Sequence, residues 1–111
     1  SYIEIFRLSG SLFCGAVSKM EALLDPKRDI KKWTILDMSN LLNIDTTGLD
    51  AIENLYAMLA KRGSTLLLVG ASDQPLSLIK RSGLATKIGL ENILDHAAQA
   101  IGRIEDSQNI S

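Results

Sequence analysis

The residues of this chain whose types and spacing could do chemistry are concentrated in one short stretch, Asp45, Thr46, Thr47 and Gly48. It lies between the apolar Leu41, Leu42 and Ile44 and the start of an amphipathic segment. Its chemistry is that of a helix N-terminus. A Thr hydroxyl there accepts a hydrogen bond from an unpaired backbone N–H, and Asp50, three residues after Thr47, completes an approximate capping pattern. On this reading Thr46 or Thr47 is an N-cap and nothing more. The position also supports a second reading, because a hydroxyl at the positive end of a helix dipole is a place where an added phosphate is electrostatically tolerated.

Enzyme signatures are scarce. His96 is the only histidine and Cys14 the only cysteine, so the usual His and Cys ligand sets for zinc cannot be assembled within one chain. Cys14 follows the apolar Leu12 and Phe13, where buried, inert cysteine is the commoner state, and His96 does not join the apolar stripe of its helix. No catalytic residue, metal or cofactor is therefore assigned. The glycines form neither a phosphate-binding loop with its Lys and Ser or Thr nor a Gly-x-Gly-x-x-Gly turn after a strand. A polar stretch from Asp25 to Lys32 carries Lys27, Arg28, Lys31 and Lys32. Such a run suits a phosphate or a membrane headgroup, although most are only solvated loop.

The elements that must position these residues follow from periodicity. Ile3, Ile5 and Leu8 alternate with Glu4 and Arg7, which reads as a strand near residues 2–8 interrupted by Ser9 and Gly10; Leu12 and Phe13 read as a second short strand. Ala16, Met20, Leu23 and Leu24 recur at helical spacing over 15–24, until Asp25 and Pro26. Trp33, Thr34, Ile35, Leu36 and Met38 form a dense run of the kind found in a strand buried on both faces. Leu49, Ile52, Leu55, Tyr56 and Leu59 then mark a helix stopped at Gly63, with Lys61 and Arg62 in its last turn. Leu66 to Val69 predict another buried strand, paired in parallel through a right-handed crossover. Leu76, Leu78 and Ile79 mark a short helix closed by Gly83. Ile88 reads as an edge strand, and Ile93, Leu94, Ala97, Ala98, Ile101 and Ile104 lie on a last helix before a polar tail. The sum is one α/β domain of 111 residues, with four or so strands and about four helices.

With 12 Lys plus Arg against 13 Asp plus Glu, a net charge of -1 offers no footprint for nucleic acid. Apolar runs such as Leu66 to Val69 fall far short of the roughly 20 residues that cross a bilayer. The lone Cys14 and the lack of an opening signal peptide favour a reducing, cytosolic compartment. A chain that opens on Ser1 rather than Met reads as a piece of a longer polypeptide or a processed product.

The run Ile35, Leu36, Asp37, Met38, Ser39, followed by Ile44, Asp45, Thr46, Thr47, Gly48 and Leu49, resembles the signature of STAS domains, shared by anti-sigma factor antagonists and the cytoplasmic C-terminal part of sulfate permease (SulP) anion transporters. Two further stretches are similar to the transporter branch. One is Ile5, Phe6, Arg7, Leu8, Ser9, Gly10, Ser11, Leu12, Phe13, Cys14, Gly15 and Ala16, with Cys14 in place of a second Phe; the other is Gly70, Gln74, Pro75, Ser82, Gly83, Leu84, Ile88, Gly89, Glu91, Asn92 and Ile93.

The resemblance implies an α/β STAS fold, a mostly parallel sheet of four to five strands with about four helices, over residues 1–106, with 107–111 a disordered polar tail. It implies a domain without catalytic activity or cofactor, on the cytoplasmic side of the membrane, whose partners are the transmembrane part of the same polypeptide and a cytosolic protein, and not nucleic acid. In antagonists the second hydroxyl residue of the motif is phosphorylated by a partner kinase, and Thr47 matches it, with Thr46 in the preceding slot. Some STAS domains bind GTP or ATP, but nothing here resembles a phosphate cradle, so titration with labelled nucleotide is expected to be null. The expected interaction surface is the loop before Asp45, the motif residues Asp45 and Gly48, and the helix face carrying Asp50, Glu53 and Asn54. The alternative is a free-standing anti-sigma factor antagonist switched at Thr47.

Overall fold

The structure, a computed structural model, describes residues 2–12, 20, 23 and 25–109. Cys14 and most of the helix expected over 15–24 lie outside the described residues. Four parallel strands form one sheet in sequential order: β1 (Ile3–Leu12), β2 (Trp33–Ile44), β3 (Thr65–Val69) and β4 (Ile93–Leu94). Helix α1 (Thr46–Lys61) joins β2 to β3. Helices α2 (Asp73–Arg81) and α3 (Leu84–Ile88), with a 3-10 turn (Leu90–Asn92), join β3 to β4, and α4 (Ala97–Asn109) follows β4.

The register alternates side chains between two cores. Phe6 pairs with Leu36 and Leu36 with Leu68, so even-numbered residues here share one face. Every crossover steps to the next strand in the same direction, and crossovers of one hand deliver their helices to one side. Accordingly Leu36, Met38, Leu66 and Leu68 pack with Ile52, Leu55 and Leu59 of α1 and with Ile79, Leu84 and Ile88 of α2 and α3. Met20 belongs to the same cluster. On the opposite face Trp33, Ile35, Leu67 and Val69 pack with Ala100 and Ile104 of α4. Within the sheet the Thr34 and Ser64 hydroxyls share a buried hydrogen bond of 2.8 Å, which satisfies both polar groups.

Three sequence expectations change. Strand β1 does not stop at Leu8 to leave a separate strand at Leu12. It continues to Leu12 because the pairing shifts register between Arg7 and Ser9 and again between Gly10 and Ser11, and Gly10 takes φ +77° there. Strand β2 runs on through polar residues to Ile44, so the stretch before Asp45 is strand rather than loop. The edge strand is Ile93–Leu94. Ile88, expected there, ends α3, since its apolar side chain is needed in the α1-side core.

The fully buried Leu36 and Leu68 are on the α1 side, while Ile5 on the other face of β1 is 62% exposed. Leu36→Ala or Leu68→Ala is expected to lower the unfolding free energy by about 2–5 kcal/mol in urea titrations. Ile5→Ala is expected to change it by no more than about 0.5 kcal/mol.

Candidate functional site

Parallel strands bring their carboxyl ends, and the helices that leave them, to one side of the sheet. Asp45 stands where β2 ends, in extended conformation (φ -105°), and its Oδ1 accepts the Gly48 N–H at 2.8 Å while its carbonyl accepts the Leu49 N–H at 2.9 Å. Asp45 is therefore the N-cap of α1. This corrects the expectation for Thr46 or Thr47, which occupy the first two helical positions, and for Asp50, which lies beyond the first turn and closes no capping box. The charged Asp carboxylate, standing where β2 ends, reaches the third helical amide directly, and Gly48 is the residue that offers it.

That correction frees the two hydroxyls. Thr46 and Thr47 are both exposed, and among the described residues neither side chain makes a hydrogen bond. Their backbone N–H groups belong to the opening turn, which has no carbonyls above it to bond, so the positive end of the α1 dipole surrounds both hydroxyls. Leu42, 67% exposed, and the exposed Asn43 stand just ahead of them on β2.

The height of this loop is set from the neighbouring strand position. Strand β3 ends at Val69, opposite Asp37, and leaves the last part of β2 without a strand on that side. Gln74, near the start of α2, fills the gap: its Oε1 accepts the Ile44 N–H at 2.8 Å and its Nε2 donates to the Ile44 carbonyl at 2.7 Å, as a strand residue would. Asp73 just before it has φ +45°, a left-handed backbone that Asp tolerates better than most residues. Gly70 (φ +77°) lies so close to β2 that an added Cβ would stand 2.8 Å from the Cβ of Ser39. These contacts hold α2 against the end of β2. Gln74 was legible only as part of the stretch Gly70–Ile93; nothing in its spacing announced a backbone clamp.

Around this loop the polar groups are mostly paired. Asp37 accepts the Ser39 N–H and hydroxyl at 2.9 and 2.6 Å and pairs with Arg7 at 3.0 Å. Burial pushes its carboxyl up, but the Ser39 bonds and the Arg7 guanidinium outweigh this and hold it below the ordinary carboxylate value. On the outer face of α1, Asp50 and Asn54 are exposed, whereas Glu53 is tied to Lys87 of α3 at 2.6 Å. The Tyr56 hydroxyl donates to the Lys87 carbonyl beside it.

His96 is remote from this group in the chain and exposed at the start of α4, where its N–H and that of Asp95 both donate to Oε1 of Gln99. Among the described residues no group of three or more His, Cys, Asp or Glu could hold a metal ion, and no helix is long and apolar enough to cross a membrane. A cleft of about 360 Å³ opens at the other end of the sheet, between Tyr56 and Ala60 of α1, Ser64 and Thr65 at the start of β3, and Ile88 and Asn92. It does not adjoin Thr46 or Thr47.

The family model of the STAS domain matches residues 2–100. A crystal structure of a sulfate transporter family protein from Wolinella succinogenes is 32% identical, with a TM-score of 0.83, over 90% of this chain and 82% of that one. The SulP transporter STAS domain from Vibrio cholerae superimposes with a TM-score of 0.83 at 19% identity, over 99% and 86% of the two chains. An anti-sigma factor antagonist from Thermotoga maritima shares the fold, with a TM-score of 0.79 at 15% identity over 95% and 89%. Curated sulfate transporters of Arabidopsis thaliana and Stylosanthes hamata match at 29% to 36% identity, and the chain spans only 10% to 15% of their length.

The two roles within the opening turn separate by mutation. Asp45→Ala is expected to lower stability in urea titrations by about 0.5–2 kcal/mol. Thr46→Ala and Thr47→Ala, which remove exposed and unbonded hydroxyls, are expected to stay within about 0.5 kcal/mol.

Proposed function

The chain belongs to the STAS domain family, and we propose that within it this is the regulatory, non-catalytic domain of a sulfate permease type secondary anion transporter carrying sulfate or a related anion. It works on the cytoplasmic side of the membrane, and its first partner is the transmembrane part of the same polypeptide. The observation that carries this reading is the 32% identity with the sulfate transporter family protein over 90% of the chain, against 15% with the anti-sigma factor antagonist. The curated relatives are transporters by name as well, and the chain accounts for a small share of each.

Regulation runs through the surface at the carboxyl end of β2. A partner that docks there meets the exposed Leu42, the hydroxyls of Thr46 and Thr47, and the α1 face with Asp50, Glu53 and Asn54. Phosphorylation of Thr47 adds about -1.5 to -2 charges at a helix start that tolerates them, so the fold survives while an already acidic docking surface becomes more negative. No chemistry is asked of the domain itself. Asp45 and Gly48 hold the turn, and the threonines present it. The alternative of a free-standing antagonist switched at Thr47 is favoured by the Asp45–Gly48 motif alone.

The gene upstream of the Ser1 codon decides between them. About ten or more segments of bilayer-spanning length are expected there; a start codon within a few residues of Ser1 would contradict the transporter reading. For the switch, phosphate mapped to Thr47 by mass spectrometry of protein from its native cell is the expected result. A Thr47 unmodified across several nutrient states would remove phosphorylation from the account.

A further inference from the structure

The basic run that the sequence places between Asp25 and Lys32 does not stand alone in the fold. Arg62, just past α1, donates from Nη1 to the Asp25 carbonyl at 3.3 Å and from Nη2 to the Arg28 carbonyl at 2.7 Å, which fastens this loop to the end of α1. The Thr65 N–H donates to the Lys32 carbonyl at 3.0 Å, and the Trp33 N–H to that of Tyr2 at 3.0 Å. Residues far apart in sequence thus meet at the amino end of the sheet: Tyr2, the loop with Lys27, Arg28, Lys31 and Lys32, and Lys61 with Arg62.

The charges there are unequal. Arg28 pairs with Glu4 at 2.7 Å and stacks over Phe6, and Lys31 pairs with Asp29 at 3.1 Å. The Asp25 carboxylate accepts the Lys27 backbone N–H. Lys27, Lys32, Lys61 and Arg62 are exposed and have no carboxylate partner among the described residues, so on the α1 layer of this end six cations face three acids in a chain of net charge -1. On the opposite layer of the sheet α4 brings Arg103, Glu105 and Asp106 to the same end, where Ile104 packs with Trp33 and the Arg103 guanidinium lies 6.0 Å from the Trp33 ring centroid, so the excess of cations is confined to the α1 layer. The carboxyl end has the reverse balance. Asp45, Asp50, Asp73 and Asp95 sit at the starts of helices or the end of β4, and the one cation beside them in the register, Arg7, is committed to Asp37.

We infer that the amino end of the sheet is a binding surface for anionic lipid headgroups, with Lys27, Lys32, Lys61 and Arg62 as its cations and the half-exposed Tyr2 as an interfacial aromatic. Clustered lysines near a bilayer are attracted by its negative surface potential, and Tyr is at home where one end of a ring is apolar and the other wet. The inference rests on the transporter reading, because weak contacts of this kind are effective for a domain already tethered beside a membrane. It adds an orientation: the basic end is drawn to the bilayer and the acidic end repelled from it, which turns Thr46 and Thr47 toward the aqueous side where a cytosolic partner can reach them.

The test is co-sedimentation of the chain with vesicles of phosphatidylglycerol and phosphatidylcholine in equal amounts, compared with pure phosphatidylcholine, at low salt. The unaltered chain is expected to sediment with the mixed vesicles only and to be released as salt screens the contact. The triple variant Lys27→Gln, Lys32→Gln, Lys61→Gln is expected to lose most of this binding. A control that removes as much charge elsewhere, Lys80→Gln, Arg81→Gln, Lys87→Gln, should keep it. Equal binding to both vesicle types, or equal loss in both variants, would overturn the inference. The upstream gene sequence tests the transporter reading separately, so the two can fail independently.

Discussion

From Trp33 to Leu36 strand β2 has no side open to water, and both of its faces need apolar partners. That single requirement places helices on both sides of the sheet, with α1, α2 and α3 on one and α4 on the other. It also explains the parallel pairing, since only crossover connections leave a helix over a strand's face before the next strand begins. The strand then runs beyond its buried portion, where solvent-facing Ser39, Asn40, Leu42 and Asn43 lead to Asp45. The proposed docking surface is the wet end of a strand that begins buried on both faces.

At that end three modest interactions do different work. The Asp45 carboxylate ends the strand and begins the helix, Gln74 replaces a missing strand neighbour of Ile44, and the close approach of Gly70 to Ser39 holds the following turn against β2. None of them uses a threonine hydroxyl. A residue that caps a helix is constrained by the fold, whereas one that stands beside a cap is available to something else. The separation of capping from display is what makes a switch at Thr47 compatible with an unchanged structure.

Much of the architecture was legible in the sequence because apolar periodicity states which faces are buried. The central strands, the long helix ending before Gly63 and the helix closed before Gly83 all announce themselves in this way. Ile88 and Ile93 did not, because one or two apolar residues between polar or glycine neighbours fit a strand and a short helix equally well, and only packing against α1 or β3 decides. The capping assignment failed for a related reason: Asp45, Thr46 and Thr47 are all good N-caps, and the choice depends on where β2 stops. The bonds of Gln74 to Ile44 and of Arg62 to the carbonyls of Asp25 and Arg28 join residues 30, 37 and 34 positions apart, and no local pattern encodes such a contact.

The claim on which this account turns is that the Asp45 carboxylate, not a threonine hydroxyl, takes the Gly48 amide at the start of α1. Residue-resolved amide hydrogen exchange reads this directly. The account predicts slow exchange at Gly48 and Leu49, protection at Ile44 from Gln74, and fast exchange at Thr46 and Thr47. An unprotected Gly48 amide, with protection shifted further into the helix as a threonine cap would require, would contradict it.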